Sequence, residues 1–357
     1  MKIVIIGAGV AGLAIGLRLA EAGQEVTVLE RAQPGGGATW ASAGMLAVTA
    51  EALDAGPEET EFAKYSNSLW PDFAKKIEVL GGRRIGYSQP GVLILAGDAI
   101  ALGQLERKAT EPRVEILTGD RLRALAPLAV GSVGALWSPL DAIVDNRALG
   151  LVLAIALQKA GGRVLTNEAV VRIERRGARA SAAHTPYGLH HADAFVLAAG
   201  AWSSLLEETV APIAPVKGQM IFLTPPAGIS PPAPVIWGNG IYAVPRGSGL
   251  AIGATIEEAG FDTALTDAAR ESLHRAAAEL MPELKQWTVS EQWAGLRPRA
   301  PDGLPMLGPT SVEGLWLASG QYRNGILFAP ALAENLAGQI LGEAKAIPAF
   351  DPRRFAS

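Results

Sequence analysis

Three glycines near the N-terminus have the spacing that binds the diphosphate of a dinucleotide. Gly7, Gly9 and Gly12 follow the apolar run 2–6 in the order G-x-G-x-x-G. The first glycine allows a sharp turn after a strand, the second lets the backbone approach a pyrophosphate, and the third lets a helix pack closely on the sheet. Backbone amides at the start of a helix over residues 10–22 would then bind the diphosphate, because the helix dipole is positive there.

An acidic residue follows at the distance expected of a ribose ligand. Glu30 comes directly after the second apolar run, residues 25–29, and would accept hydrogen bonds from the adenosine ribose. A glycine-rich turn in some other α/β protein is the alternative. The order of strand, turn, helix and acid favours dinucleotide binding over that alternative.

Arginine and tyrosine residues in the second half of the chain could bind a carboxylate. Trp293-Ala-Gly-Leu-Arg297-Pro is a short strand that presents one arginine before a proline. A planar guanidinium can hold a carboxylate through two parallel hydrogen bonds, whereas an arbitrary arginine more often forms a surface ion pair. Tyr242 lies in a second short strand, where a tyrosine in the core is the alternative.

The composition restricts the class of protein. The chain has 357 residues, of which 49% are hydrophobic and 18% are charged, as expected of a soluble globular protein with one large or two interleaved domains. A net charge of −4 gives no basic field for nucleic acid, and the absence of cysteine excludes disulfides, thiolate chemistry and cysteine–zinc sites. None of the histidines has a metal-ligand spacing with a carboxylate: His184, His190, His191 and His274.

Targeting signals are not evident in the sequence. The chain begins directly with the first predicted strand, without a basic region followed by a separate apolar segment, so we expect no secretory signal. No uncharged apolar run approaches the roughly 20 residues of a membrane span. The expected location is the cytoplasm.

Several further motifs resemble a known family. Residues 38–46 read Ala-Thr-Trp-Ala-Ser-Ala-Gly-Met-Leu, and the chain also contains Val-Leu-Ala-Ala-Gly-Ala-Trp-Ser (196–203), Pro-Val-Lys-Gly-Gln (215–219), Asp-Gly-Leu-Pro (302–305) and Gly-Gln-Tyr-Arg-Asn-Gly-Ile-Leu (320–327). With the arginine motif, these segments resemble the FAD-dependent D-amino-acid oxidase family, and within it the glycine oxidases of bacterial thiamine biosynthesis. The resemblance covers nearly the whole chain.

The resemblance implies a non-covalently bound FAD, since the cysteine that carries the flavin in related sarcosine oxidases is absent. The residues that it assigns to the cofactor lie in the glycine turn, the segment after Glu30, the middle of the chain and the last motif. They are Gly7, Gly9, Val10, Ala11, Gly12, Glu30, Arg31, Ala38, Thr39, Ala43, Gly44, Met45, Val170, Gly200, Trp202, Gln321, Tyr322, Arg323, Asn324, Gly325, Ile326 and Leu327.

The resemblance also implies a reaction. Arg297 and Tyr242 would hold the carboxylate of a small amino acid, with Arg323 assisting, and dioxygen would accept the electrons as hydrogen peroxide. A role of Lys217 in oxygen activation and a lysine in a salt bridge both remain open. Relatives are often tetramers, so the resemblance also implies a homo-oligomer.

Alternatives to a glycine oxidase are a D-amino-acid dehydrogenase that uses a quinone or another carrier, an oxidase for a cyclic or N-substituted amino acid, and a flavin-bearing binding protein without turnover. Peroxide formation, a substrate panel and anaerobic bleaching of the flavin distinguish them.

The expected architecture is a Rossmann-type α/β FAD-binding domain, similar to that of glutathione reductase, interleaved with an antiparallel-sheet substrate domain with helices. Residues 1–46, 140–205 and 305–357 are assigned to the first domain, and residues 47–139 and 206–304 to the second. Apolar periodicity predicts helices over 58–80, over 266–280 with Thr266 as its cap, and over 326–342, and a helix after Asn146 as its cap. Residues 190–199 are predicted to form one strand.

Overall fold

A computed structural model of the chain describes residues 1–53 and 55–355. Nineteen strands lie within these ranges: β1 (Lys2–Ile6), β2 (Glu25–Glu30), β3 (Met45–Leu46), β4 (Val92–Ala96), β5 (Glu115–Leu117), β6 (Gly134–Ser138), β7 (Ala142–Ile143), β8 (Arg163–Thr166), β9 (Arg172–Arg176), β10 (Arg179–Thr185), β11 (Gly188–His191), β12 (Ala194–Leu197), β13 (Ala214–Thr224), β14 (Val235–Gly238), β15 (Ile241–Arg246), β16 (Gly249–Gly253), β17 (Thr288–Arg299), β18 (Met306–Pro309) and β19 (Leu315–Ser319).

The α-helices of the same described residues are α1 (Val10–Glu21), α2 (Ala38–Ala41), α3 (Val48–Ala52), α4 (Pro57–Gly81), α5 (Ala99–Lys108), α6 (Gly119–Leu125), α7 (Asn146–Lys159), α8 (Ser203–Leu206), α9 (Asp267–Leu280) and α10 (Ala329–Leu341). Short 3-10 helices cover Gly200–Trp202, Pro282–Gln286, Pro348–Phe350 and Pro352–Phe355. None of these described helices combines the length and the apolar character needed to cross a bilayer.

A six-stranded sheet carries the N-terminal glycine turn. Its strand order is β18-β19-β12-β1-β2-β8, and every neighbouring pair is parallel except β18 with β19. Strand β1 lies in the middle, and its residues Ile3 to Ile6 are buried, as expected for a parallel strand that is covered on both faces. Helices α1, α7 and α10 pack together on this sheet. The predicted Rossmann-type sheet is therefore confirmed.

An eight-stranded sheet forms the second layer. Its order is β17-β13-β16-β15-β14-β4-β6-β5, and only the pair β14 and β4 is parallel. Leu273, Ala277 and Leu280 of α9 pack in one apolar cluster with residues of this sheet. Met220 and Trp293 belong to a different cluster, which also contains Ala41 and Ala43 of the segment after β2. The two clusters show that α9 covers one face of the sheet, while the opposite face meets the N-terminal part of the chain.

The predicted division into two discontinuous domains stays a prediction, although each sheet draws its strands from separate parts of the chain. The six-stranded sheet takes its strands from residues 2–30, 163–166, 194–197 and 306–319, whereas the eight-stranded sheet takes its strands from residues 92–138 and 214–299. Helix α4, which that division assigns to the substrate domain, packs against α7 and α10 of the other layer. Its apolar residues Phe62, Trp70 and Ile77 belong to the same core as α1.

Several predicted elements are confirmed. Helix α1 begins at Val10, α4 ends before Gly82 in the left-handed conformation (φ +65°), and the Thr266 hydroxyl accepts a hydrogen bond from the Ala269 amide at the start of α9. The final helix begins at Ala329, three residues later than predicted, because residues 320–328 form turns.

Two predictions are wrong. The cap of α7 is Asp145, whose side chain accepts from the amides of Arg147 and Ala148, whereas Asn146 is fully buried and used elsewhere. Residues 190–199 do not form one strand. Strand β11 belongs to a small antiparallel sheet with β9 and β10, and β12 belongs to the six-stranded sheet. The sequence is uniformly compatible with a strand there, so its pattern does not show where the chain changes sheets.

Candidate active site

The glycine turn between β1 and α1 has no room for side chains at two positions. Gly7 has a φ of +107°, and a Cβ atom there would lie 2.5 Å from the Ala198 carbonyl oxygen. A Cβ atom at Gly12 would lie 2.1 Å from the carbonyl oxygen of Gly7. At Gly9 the nearest atom is the Thr39 hydroxyl, at 3.7 Å, and Gly9 lines a cavity. Gly7 and Gly12 thus allow close packing within the turn, and the backbone of Gly9 is accessible to a ligand in the cavity.

Glu30, at the end of β2, borders the same cavity. Its carboxylate accepts hydrogen bonds from the amides of Ala8 (2.8 Å) and Ala32 (2.9 Å). A carboxylate has about four acceptor positions, so two remain for ribose hydroxyls. The two amides fix the carboxylate beside the turn.

The segment that contains α2 and β3 is held against the turn by polar side chains. The Thr39 hydroxyl accepts a hydrogen bond from the Val10 amide at 3.0 Å. Asn146 donates to the carbonyls of Thr39 (2.8 Å) and Trp40 (2.7 Å), and Arg246 donates to Asn146 Oδ1 at 2.7 Å. A Cβ atom at Gly44 would lie 2.1 Å from the Val144 carbonyl oxygen. Asn146 and Arg246 were not expected to have this role, because nothing local in the sequence indicates these distant contacts.

One cavity of about 460 Å³ extends from the glycine turn to the eight-stranded sheet. Most of the residues predicted to bind cofactor or substrate line it: Gly7, Gly9, Val10, Ala11, Glu30, Arg31, Ala38, Thr39, Ala43, Gly44, Met45, Val170, Gly200, Trp202, Tyr242, Arg297, Gln321, Tyr322, Arg323, Gly325 and Ile326. The structure therefore brings together residues from both sheets and from the motifs of the sequence analysis except Asp-Gly-Leu-Pro (302–305), which lies outside the lining.

Three predicted cofactor residues lie outside the cavity lining. Gly12 lies beneath the turn, where it lets α1 approach Gly7. Asn324 is buried and donates to Glu59 at 2.9 Å. Leu327 is also buried, and its carbonyl accepts from Ser66 and Trp70 of α4. These residues support the site through packing and hydrogen bonds to its surroundings.

Arg297 lies on β17 with its guanidinium at the cavity. Nη1 donates to the Thr255 carbonyl at 3.2 Å, and no ion pair is formed between Arg297 and any other described residue. A Cβ atom on Gly218, in the neighbouring strand β13, would lie within 2.5 Å of three guanidinium atoms. The guanidinium is therefore half-buried, fixed in place and available to an anion.

Tyr242 lines the same cavity from β15. Its ring packs against Trp237 of β14, with 5.5 Å between ring centroids. A Cβ atom on Gly253 of β16 would lie 2.8 Å from the Tyr242 ring, so glycine is required beside it. The ring is thus held between neighbours on two adjacent strands.

Arg323 is placed differently from Arg297. Its Nε and Nη2 both lie 3.0 Å from Oε1 of Glu51 on α3, and its guanidinium lies 5.5 Å from the centre of the Trp237 ring. Glu51 lines the cavity, and burial raises the pKa of its carboxyl, against the opposing effect of Arg323. Sequence reasoning missed Glu51, because this residue belongs to none of the motifs named in the sequence analysis.

Helix α3, which carries Glu51, is fixed by a buried acid. Asp141 accepts hydrogen bonds from the amides of Thr49 (3.1 Å) and Ala50 (3.4 Å), and the Thr49 hydroxyl bonds to Ser138 at 2.7 Å. Burial raises the pKa of Asp141, although hydrogen bonds from Thr49 and Ser138 oppose the shift. The orientation of Glu51 is therefore determined by the eight-stranded layer beneath it.

Lys217 lies outside the cavity lining. Its side chain is 2% exposed, and Nζ lies 3.4 Å from Glu257 and 3.2 Å from Asp262. Of the two alternatives for this lysine, the structure has the salt bridge.

The residues present fit a flavin dinucleotide. The glycine turn exposes backbone beside Glu30, and the last motif supplies a buried donor, because Nε2 of Gln321 has no hydrogen-bond partner among the described residues although Gln321 lines the cavity. Such an orphaned buried donor is rare unless a ligand or water satisfies it.

Comparisons with known proteins show what the whole chain is similar to. The family described as FAD dependent oxidoreductase matches residues 2–339. The glycine oxidase of Pseudomonas aeruginosa is 36% identical over 362 residues, which cover 99% of this chain and 98% of that protein. The crystal structure of glycine oxidase from Geobacillus kaustophilus superposes with a TM-score of 0.90 at 31% identity, covering 99% of this chain and 97% of that one.

A bifunctional protein is also similar. The bifunctional protein ThiO/ThiG of Synechocystis sp. is 36% identical over 364 residues. The matched part covers 99% of this chain and 54% of that protein.

Proposed function

Because the chain belongs to the FAD-dependent oxidoreductase family, we propose that it is an oxidase of glycine and other small amino acids, including sarcosine and small D-amino acids. The observation that carries this proposal is Arg297. This arginine is held at the wall of the cavity, and no ion pair to another described residue occupies it. A carboxylate is the anion that such a planar, fixed guanidinium binds best.

The glycine turn, Glu30, segment 38–45 and Gln321 would hold FAD. When bound, FAD would supply the redox chemistry, that is, oxidation of the amino acid by hydride transfer and reduction of dioxygen to hydrogen peroxide. The protein supplies orientation and electrostatics.

Arg297 and Tyr242 would bind the carboxylate of the substrate and so fix the position of its α-carbon. Holding reactants in near-attack geometry is worth roughly 7–11 kcal/mol. Arg323 adds positive charge to the same cavity, reduced by its pairing with Glu51. No dedicated base is required if the substrate amine is neutral when it reacts.

The imine product would hydrolyse to the oxo acid and ammonia, or supply the synthesis of the thiamine thiazole. The similarity to a ThiO/ThiG protein supports the second fate. The proposal places the enzyme in the cytoplasm as a homo-oligomer.

The test is to purify the protein, record its absorbance spectrum and screen amino acids for hydrogen peroxide. We expect a flavin spectrum, anaerobic bleaching by glycine, and one peroxide per glycine oxidised in air. Bleaching without peroxide would instead indicate a dehydrogenase. A colourless protein that takes up no FAD, or a flavin that no amino acid bleaches, would overturn the proposal.

A further inference from the structure

Three arginines line one cavity: Arg31, whose guanidinium lies over the Trp202 ring, Arg297 and Arg323. Of these three, only Arg323 is paired with an acid among the described residues. Arg323 is bound through Nε and Nη2 to Glu51, at 3.0 Å in both contacts. Arg297 donates to a backbone carbonyl, and no described carboxylate forms an ion pair with it. At the eight-stranded sheet the cavity therefore offers Arg297 to an incoming carboxylate, while the charge of Arg323 is already balanced by Glu51.

Glu51 lies close enough to Arg297 and Arg323 for its charge to act on both guanidiniums. Arg323 and Arg297 both oppose the rise that burial causes in the pKa of the Glu51 carboxyl, and Arg323 has the larger effect. The Glu51 side chain is 16% exposed, so its interaction with Arg323 is only partly screened by solvent. The amides of Thr49 and Ala50 donate to Asp141 and so hold in place the helix that carries Glu51.

We propose that Glu51 determines substrate specificity by restricting the site to amino acids with a single carboxylate. The inference rests on the proposed function, because it assumes that Arg297 binds the substrate carboxylate. A substrate with a second carboxylate, such as iminodiacetate, would have to displace Glu51 from Arg323 and place its own negative charge beside Glu51. Specificity of this kind comes from repulsion of the wrong ligand as much as from attraction of the right one.

The test measures ligand binding to the FAD-loaded protein with two non-reacting probes, acetate and malonate, which differ by one carboxylate. Affinities come from isothermal titration or from perturbation of the flavin absorbance. The wild-type protein should bind acetate at least as tightly as malonate. Glu51→Gln should raise the affinity for malonate about tenfold or more, because Arg323 gains a charged acceptor, and should raise the affinity for acetate by a smaller factor, because Arg297 loses only the effect of a nearby negative charge.

Two control variants test whether Glu51 and Arg323 are the groups that determine the affinity for malonate. Glu59→Gln removes a neighbouring carboxylate that accepts from Asn324 rather than from Arg323, so the ratio of the two affinities should stay at its wild-type value. The double variant Glu51→Gln/Arg323→Leu should lose the gain in malonate affinity. With iminodiacetate as substrate, kcat/KM should rise in Glu51→Gln and not in Glu59→Gln.

The outcomes separate this inference from the function on which it rests. If the wild-type protein binds malonate more tightly than acetate, or if Glu51→Gln leaves the ratio unchanged, the role of Glu51 is overturned while the oxidase function stands. The wild-type measurement decides the matter even if the variant does not fold. If acetate binding is absent, or is unchanged in Arg297→Ala, the carboxylate role of Arg297 is overturned, and the inference about Glu51 with it.

Discussion

A Cβ atom on Gly218 would lie 2.3 Å from Nη2 of Arg297, so glycine is the residue that allows this guanidinium to lie across β13. The two residues are on paired strands, with Gly218 opposite Gly295 and Arg297 opposite Val216. The position of the candidate carboxylate ligand thus depends on a residue that has no side chain.

We expect Gly218→Ala to impair substrate binding and leave the fold intact. The added methyl group meets the flexible end of Arg297 rather than backbone, so the guanidinium should move and the strands should not. KM for glycine should rise about tenfold or more, as expected when one charged hydrogen bond is misplaced, with FAD still bound. Gly97→Ala, where a Cβ atom meets nothing within 4 Å, is the control and should leave KM unchanged. An unchanged KM in Gly218→Ala would contradict the account.

We expect Arg297→Ala to raise KM for glycine strongly while the protein stays yellow. The loss of charge-assisted hydrogen bonds to a carboxylate costs about 2–4 kcal/mol, or about 30- to 1000-fold in kcat/KM. Steady-state kinetics and the flavin content measure the two effects separately. Arg299→Ala removes an arginine that is paired with Glu258 at 2.6 Å, and it should change KM little. A yellow Arg297→Ala protein with the wild-type KM would remove the carboxylate role.

We expect Gly9→Ala to weaken FAD binding and Gly12→Ala to lower the stability of the protein. At Gly12 the new Cβ atom would lie 2.1 Å from backbone, so overpacking of about 1–3 kcal/mol or more should lower the Tm of the apoprotein. At Gly9 no protein atom lies closer than 3.7 Å to the position of the new Cβ atom, and Gly9 lines the cavity. That variant should keep its Tm and bind FAD about tenfold or more weakly, since a diphosphate must approach the backbone closely. Equal loss of Tm in both variants would contradict this distinction.

Lys217→Met should reduce stability rather than the reaction with oxygen. Lys217 is buried beside Glu257 and Asp262, so removing its ammonium should lower the free energy of unfolding by about 1–3 kcal/mol. Because Lys217 lies outside the cavity lining, the rate of peroxide formation at saturating glycine should change less than about twofold. Lys76→Met, at an exposed pair with Glu21, should change neither quantity appreciably. A large loss of oxygen reactivity without a loss of stability would favour an oxygen-activating lysine.

The stability of the Asp141→Asn variant relative to the wild-type protein should increase as the pH rises. Burial raises the pKa of Asp141, so the folded state holds this proton more tightly than the unfolded chain does. The contribution of the carboxyl to stability is present below about pH 4 and is lost as the pH rises through the folded-state pKa. Asparagine keeps an oxygen acceptor for the amides of Thr49 and Ala50 and has no charge to desolvate.

The measurement for Asp141 is Tm against pH for both proteins. The difference, variant minus wild type, should increase from about pH 4 to pH 8. Asp98→Asn, at the exposed cap of α5, is the matched control and should show a much smaller trend. A difference that is constant with pH would show that burial does not disfavour the Asp141 carboxylate.

The parts of the fold that were predicted from the sequence are those determined by local pattern. The turn at Gly7, helix α1 and the cap at Thr266 depend on residues within a few positions of each other. The family motifs also gave Arg297 and Tyr242 as cavity residues, and the structure places both there.

The parts that were missed depend on contacts between distant residues. Arg323 and Glu51 are 272 positions apart, and Arg246 and Ser42 are 204 positions apart. A single sequence shows that an arginine is present but not which acid it meets. Asn146 was predicted as a helix cap because its type suits that position, whereas Asp145 beside it suits it equally well and makes the hydrogen bonds.

The cavity at the glycine turn joins residues 7–45 to residues 218–326. No contiguous half of the polypeptide contains both the nucleotide turn and the carboxylate ligands, so a partly folded or nicked molecule has only incomplete walls around the cofactor. Yellow colour in a purified preparation would therefore report that the entire chain has assembled, and refolding could be followed by it without any assay of turnover.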